Sequence, residues 1–150
     1  MNAQEMWMKY AFKEAERAYE ENEVPIGCII TFQNTIIAKA HNQVETLKDP
    51  TAHAEIIAIT AAAEYLQSKQ LIGCNMYVTL EPCPMCAGAI VMAKIDNLYF
   101  GAFDNNIGGC GSAFNITSNE KMNHNVNVYG GIMDKECAGI LKSFFEVKRG

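Results

Sequence analysis

The chain's densest chemistry lies in six residues, Glu81-Pro82-Cys83-Pro84-Met85-Cys86. They follow the strand-like run Met76-Tyr77-Val78-Thr79-Leu80 and open an apolar stretch. Two cysteines three positions apart at a helix start put two sulfurs on one side of its first turn. The unpaired amides there carry partial positive charge, which favours thiolate over thiol. Thiolates bind zinc. Pro82 and Pro84 suit the beginning of a helix, where a missing N–H costs nothing. A Cys-x-x-Cys pair supplies only two ligands, however, and by itself fits redox chemistry equally well.

Of the three histidines, His53 stands at a comparable place, in the first turn of a helix opened by Thr51-Ala52-His53-Ala54-Glu55 after a loop. Two helix starts meeting at one end of a sheet are where α/β proteins bind ligands. His53, Cys83 and Cys86 together give one nitrogen and two sulfurs, leaving the fourth position of a zinc ion for water, as in a catalytic site. Glu55 lies two residues from His53, so on a regular helix it points elsewhere and is no fourth ligand beside it. Its place is next to the water. Two thiolates cancel the charge of the metal, and such a site gains from a carboxylate that takes a proton and hands it on.

Taken singly, these features have ordinary explanations. A His-x-Glu at a helix start usually caps or faces solvent, and cysteines near an apolar helix are often packed thiols. Their coincidence is informative, because H-x-E with P-C-x-x-C marks the zinc nucleobase deaminases. Cys28, Cys74 and Cys137 read as buried residues, Cys110 is undecided, and His41 and His124 read as loop hydrogen-bonders.

The elements that must position these residues follow from periodicity. Asn2-x-x-Glu5 opens an amphipathic helix over 3–21, with Met8, Ala11, Phe12, Ala15 and Tyr19 on one face. Pro25 ends it. Ile26 to Phe32 and Thr35 to Ala40 form a hairpin about Gln33-Asn34, and 41–50 is loop-like. An alanine-rich helix from Ala52 to Gln67 is capped by Thr51. A strand at 75–80, the cysteine helix at 83–94 and a strand at 97–101 come next. A long irregular stretch containing Gly108-Gly109-Cys110-Gly111-Ser112 runs to about Asn125, the kind of loop that is often functional. A short strand at 126–129 and a helix at 133–148 finish the chain, with Cys137, Ile140, Leu141 and Phe144 as core stripe. The order predicts an α/β fold, a three-layer α/β/α arrangement around a five-stranded mixed sheet.

At 150 residues the chain is expected to be one domain, 1–150. No apolar run approaches the roughly 18 residues that span a bilayer, and no basic-then-apolar leader opens it, so a cytoplasmic protein without a membrane partner is expected. A net charge of −5 disfavours an extended nucleic-acid groove, but residues 121–150 carry three acids against five bases. A local phosphate contact fits that tail.

The chain resembles the bacterial tRNA-specific adenosine deaminases of the cytidine-deaminase-like superfamily. The likeness lies in Glu23-Val24-Pro25-Ile26-Gly27, in Asp49-Pro50-Thr51-Ala52-His53-Ala54-Glu55 and in Tyr77 through Ile90. Phe100-Gly101-Ala102-Phe103-Asp104, Met122-Asn123-His124 and Glu136 through Phe145 continue it. The zinc motifs identify the superfamily, and the later runs favour the tRNA branch. The resemblance implies a homodimer with one zinc per subunit that converts the wobble adenosine of a tRNA anticodon stem-loop to inosine and releases ammonia. Glu55 would be its proton shuttle. It also implies substrate contacts at Asn42, Ala54, Asp104 and Phe145: Asn42 with the target nucleoside, Asp104 with a neighbouring ribose. On residue type alone, Asn42 is a turn former, Asp104 a solvated acid, and Phe145 a packing residue.

Lys135, Lys142 and Arg149, with Lys148 beside the last, form a basic stripe suited to phosphates or to solvent alone. Phe103 and Asn105-Asn106 stand where relatives often carry cations, which predicts weaker or more salt-sensitive RNA binding. Two other readings remain. Guanine deaminase has nearly the same zinc motifs and needs neither the basic helix nor Asp104 at a ribose. A zinc-stabilised interaction module would need a fourth ligand, Cys110 or His41, and leaves Glu55 without a purpose.

Overall fold

The computed structural model describes residues 2–149, with the side chains of Lys148 and Arg149 outside the described ones. Five strands form one sheet in the order β2-β1-β3-β4-β5: β1 (Gly27–Phe32), β2 (Thr35–His41), β3 (Cys74–Leu80), β4 (Asn97–Ala102) and β5 (Asn127–Tyr129). The sheet is mixed. β1 runs antiparallel to β2 and β3, while β3, β4 and β5 are mutually parallel. Its helices are α1 (Ala3–Glu20), α2 (Val44–Leu47), α3 (Ala54–Leu66), α4 (Pro84–Met92) and α5 (Asp134–Arg149).

Alternation along the central strands separates the two faces. Cys28 and Ile30 of β1 and Met76 and Val78 of β3 share a core with Ala54, Ala58 and Ala62 of α3 and Ile90 and Val91 of α4. Ile29 and Tyr77 point the other way, against Met8 and Ala11 of α1. The three layers are those predicted. Each fully buried Ile or Met in them contributes about 1.5–3 kcal/mol relative to exposure. Alanines one turn apart let α3 lie close to the sheet. On the opposite face Gly27 does the same for α1, because a Cβ there would strike the Ala11 carbonyl.

Local signals were met at the start of α1 and at the turn of the β1–β2 hairpin. The Asn2 side chain accepts the Glu5 N–H at 2.8 Å, as the capping box requires. Gln33 and Asn34 both lie in the left-handed region, at φ 51° and 63°, the geometry of a two-residue hairpin turn.

Two expectations are corrected. The segment after His41 contains the short helix α2, where an unstructured loop was predicted. Thr51 does not cap α3 either: its N–H and hydroxyl both donate to Asp49 Oδ1, at 2.8 and 2.7 Å. That turn consumes Thr51, and the helix starts at Ala54, after His53.

The irregular stretch after β4 is ordered by its own backbone. Gly108 N–H donates to the Asp104 carbonyl at 2.8 Å, Phe114 N–H to that of Gly108 at 2.8 Å, and Ile116 N–H to that of Gly109 at 2.8 Å. The loop leaves the carboxyl end of β4, where Leu80 pairs with Ala102, beside the turn that leads from β3 into α4. That end of the parallel strands is where an open α/β sheet binds its ligand.

Candidate active site

Helices α3 and α4 each begin on a residue that forgoes capping. His53 and Cys83 occupy the two N-cap positions in extended backbone, ψ 151° and 172°, and neither side chain serves as the helix cap. Ser, Thr, Asp or Asn there would stabilise each helix by about 1 kcal/mol relative to a non-capping residue. Instead the side chains converge. His53 Nδ1 lies 3.6 Å from Cys83 Sγ and 3.5 Å from Cys86 Sγ, with Cys86 in the first turn of α4. The three donor atoms lie within 4.8 Å of one another. Pro84 takes the first helical position, where its missing N–H is harmless.

Among the described residues this group comprises His53, Cys83 and Cys86 alone. Neither residue proposed for a fourth ligand joins it. His41 lies between Glu21 (2.9 Å) and Glu14 (3.6 Å). Cys110 sits in the loop after β4, paired across an isolated bridge with Asn115. His124 Nε2 donates to the Ile95 carbonyl, 2.8 Å away, and Cys28, Cys74 and Cys137 are buried.

Protonation in the cluster is asymmetric. The Cys86 thiol donates to Cys83, and this bond, with His53, outweighs burial and holds Cys83 down at about 4. Cys86 moves well up, as the donor of that bond and by its burial. The bond to Cys83 also raises His53. A cation binding all three donors displaces the remaining protons. One imidazole and two thiolates fit zinc, and three protein ligands is the count of a catalytic rather than a structural site.

Glu55, in the first turn of α3, is 4% exposed, and its Oε1 has no hydrogen-bond partner among the described residues. Burial pushes its carboxyl up to about 7, against the opposing pull of its own backbone N–H and of His53. Buried carboxylate oxygens are almost always paired, so an unpaired one beside a metal-ligand cluster marks a place for something the chain does not itself supply.

The remaining predicted residues are placed unevenly. Asn42 is buried, its N–H donates to the Ile26 carbonyl at 3.1 Å, and its side chain makes no hydrogen bond among the described residues. Ala54 is fully buried at the start of α3, between His53 and Glu55. Asp104 opens the loop after β4 and turns Oδ1 onto the N–H groups of Asn106 (3.1 Å) and Ile107 (3.2 Å). Phe145 lies on α5, edge-on to Phe144 at 5.5 Å, and is not drawn into the cluster. Lys135 and Lys142 are exposed on α5; Lys148 and Arg149, the rest of the basic stripe, lie outside the described side chains.

Two buried acids at this end of the sheet escaped sequence reasoning as functional residues. Glu23 accepts from the Glu45 N–H (3.1 Å), the Thr46 N–H (2.6 Å) and the Thr46 hydroxyl (2.6 Å), and so fixes α2 next to Asn42. Glu81 binds the loop after β4 in the same manner. A glutamate beside an apolar strand and facing a glycine pair was the available signal.

Residues 1–102 match the family model of the cytidine and deoxycytidylate deaminase zinc-binding region. The chain is 44% identical over 149 residues to a tRNA-specific adenosine deaminase of Bacillus subtilis, covering 99% of this chain and 92% of that one. A solved structure from a study of A-to-I editing by tRNA:A34 deaminases at the wobble position superposes with a TM-score of 0.88 at 43% identity, covering 91% of this chain and 99% of that one. A guanine deaminase from Nitrosomonas europaea shares the fold, with a TM-score of 0.81 at 20% identity over 96% of this chain and 85% of that one.

Proposed function

The chain belongs to the cytidine and deoxycytidylate deaminase family, and within it we propose that it converts the wobble adenosine of tRNA to inosine by hydrolysis. One observation carries the chemistry: the unpaired Glu55 Oε1 beside a His-Cys-Cys cluster. Likeness to a tRNA-specific adenosine deaminase over 99% of the chain carries the substrate. The 150 residues act as one deaminase unit.

A zinc ion held by His53, Cys83 and Cys86, one per subunit, supplies Lewis-acid activation of water. The proton traffic falls to Glu55. Its carboxylate takes a proton from the attacking water and gives it to N1 of the adenine as oxygen bonds to carbon 6. It then delivers the second proton to the 6-amino group, which leaves as ammonia. Asn42, buried and with a free carboxamide, orients the nucleoside. Ala54 adds no bulk between His53 and Glu55, so the ring approaches both. Asp104 meets the ribose of a neighbouring nucleotide, where a 2′-hydroxyl distinguishes RNA from DNA. The target base leaves its stack to reach this depth. Phe145 and the lysines of α5 lie along the stem-loop.

A second copy of the chain covers the outer face of α3 and α4. Helix α4 has no charged residue, yet Met85 and Met92 on it are exposed, the latter by 79%, and Tyr65 on α3 and Ile72 after it are exposed as well. A helix apolar on both sides is stable in water only when both are covered. A homodimer does this by symmetry. Among the described residues no helix is long and apolar enough to cross a membrane, and the cytoplasm, where tRNA is processed, is the proposed location.

The test is incubation with a tRNA bearing a wobble adenosine and, separately, with free guanine, scoring inosine and xanthine by mass spectrometry. Inosine at the wobble position, absent with Glu55→Ala, is the expected result. Xanthine alone would keep the mechanism and overturn the substrate.

A further inference from the structure

Glu81 follows β3, two residues before Cys83, and is 2% exposed, with no cation paired to it among the described residues. Its carboxylate is saturated by one loop. Oε1 accepts the Asp104 N–H at 3.1 Å and the Ser112 hydroxyl; Oε2 accepts the N–H groups of Cys110 and Ser112, each at 3.1 Å. The flanking backbone is tied on both sides: Glu81 N–H donates to the carbonyl of Ala102 at the end of β4 at 2.9 Å, and the Pro82 carbonyl accepts from Gly109 of the same loop at 2.7 Å.

Glycine makes this closeness possible. A Cβ at Gly108 would strike the Glu81 carboxylate, and one at Gly109 would stand 3.1 Å from the Cys83 carbonyl. The loop therefore lies directly on the residue that starts α4. Asp104 is fixed at both ends of its own turn, by its N–H to Glu81 and by its Oδ1 to Asn106 and Ile107.

We propose that Glu81 is a positioning residue for substrate recognition: its carboxylate is the template on which residues 104–112 close, and it sets where Asp104 stands relative to the zinc ligands. The proposal rests on the reading of Asp104 as the ribose contact. A carboxylate is required because four donors converge on two oxygens. The amide of glutamine offers one oxygen, and its NH2 would face two donors.

The experiment is a double-mutant cycle of Glu81→Gln and Asp104→Asn, with Ser112→Ala as the milder loop variant. The substrates are two anticodon stem-loops with a wobble adenosine, one all-ribose and one 2′-deoxy at the adjoining nucleotide. Zinc content and amide exchange are measured beside kcat and KM. Glu81→Gln is expected to keep its zinc and to lower kcat/KM on the all-ribose stem-loop about tenfold, chiefly through KM. Preference for the 2′-hydroxyl collapses, exchange rises only within 104–112, and Asp104→Asn adds little to Glu81→Gln. Ser112→Ala moves the same quantities by a smaller factor and carries the cycle if Glu81→Gln does not fold.

Additive losses, an intact 2′-hydroxyl preference in Glu81→Gln, or unchanged exchange would overturn the proposal while leaving Asp104 at the ribose. Asp104→Asn with full preference would instead remove the ribose reading and this proposal with it, and the exchange data would still report whether Glu81 holds the loop.

Discussion

Two glutamates are buried at the same end of this sheet, and they are opposites. Glu81 accepts four hydrogen bonds, all from one loop. Glu55 leaves Oε1 without a partner. Burying a carboxylate is costly unless its oxygens are satisfied, so the difference separates two uses of the same residue. The satisfied acid organises the protein. The unsatisfied one is kept for a ligand and is a liability until that ligand arrives. Only the second is proposed to take part in the chemistry.

Substitution tests the contrast most strongly at the cluster. Cys86→Ser is expected to lose zinc and activity together, read by metal analysis and inosine formation. Glu55→Gln keeps the metal but lowers kcat by about a thousandfold or more, the range for removing a general acid–base. Its melting temperature does not fall, because no native hydrogen bond to Oε1 is lost. A large drop in melting temperature with Glu55→Gln would break the comparison. Glu81→Gln has the reverse signature: its chemistry survives, but stability falls by about 1–3 kcal/mol as buried donors lose their acceptor. Urea unfolding of the two variants side by side reads the difference.

The same contrast explains what was legible in the sequence. The convergence of His53, Cys83 and Cys86, with Glu55 beside them, was legible because residue type and local spacing carry it, and periodicity carried the strands and helices around them. Glu81 could not be read that way. Three of its four donors are backbone N–H groups 23 to 31 residues away, and no side-chain pattern encodes those. Glu23 was missed for the same reason. Thr51 misled because Asp49 Oδ1 draws both its N–H and its hydroxyl into a turn, and the helix begins only at Ala54. Local rules fail here where the chain turns back on itself beside the site.

Glu23 sharpens the comparison as a second satisfied acid, holding α2 as Glu81 holds the later loop. Burial alone would raise its carboxyl, but the Thr46 hydroxyl and the amides of Glu45 and Thr46 together hold it below its ordinary value. Because the folded value is depressed, its stabilisation is fully present above the unfolded value and disappears as pH falls through the folded one. Glu23→Gln is therefore expected to cost about 1–3 kcal/mol at neutral pH. The gap from the parent narrows as pH drops below about 4, where the unfolded carboxyl protonates. Denaturant midpoints across that range measure it. A gap constant with pH would assign the loss to packing rather than to charge-assisted bonds.

The smallest expected effect concerns the outer face of the loop that Glu81 holds. Phe103, next to Asp104, is 54% exposed, with its ring edge-on to Phe100 at 5.1 Å. An aromatic there contributes area but no charge, and each phosphate neutralised adds roughly 0.7–0.9 to the salt slope of binding. Sequence alone allowed weaker or more salt-sensitive RNA binding; the counterion argument separates the two. A chain with fewer cations binds more weakly but is less salt-sensitive. Phe103→Arg is expected to tighten stem-loop binding a few-fold at low salt and to steepen the slope by about one, with kcat unchanged. An unchanged slope would mean that residue 103 faces no phosphate, leaving Asp104 as the one RNA contact proposed for this loop.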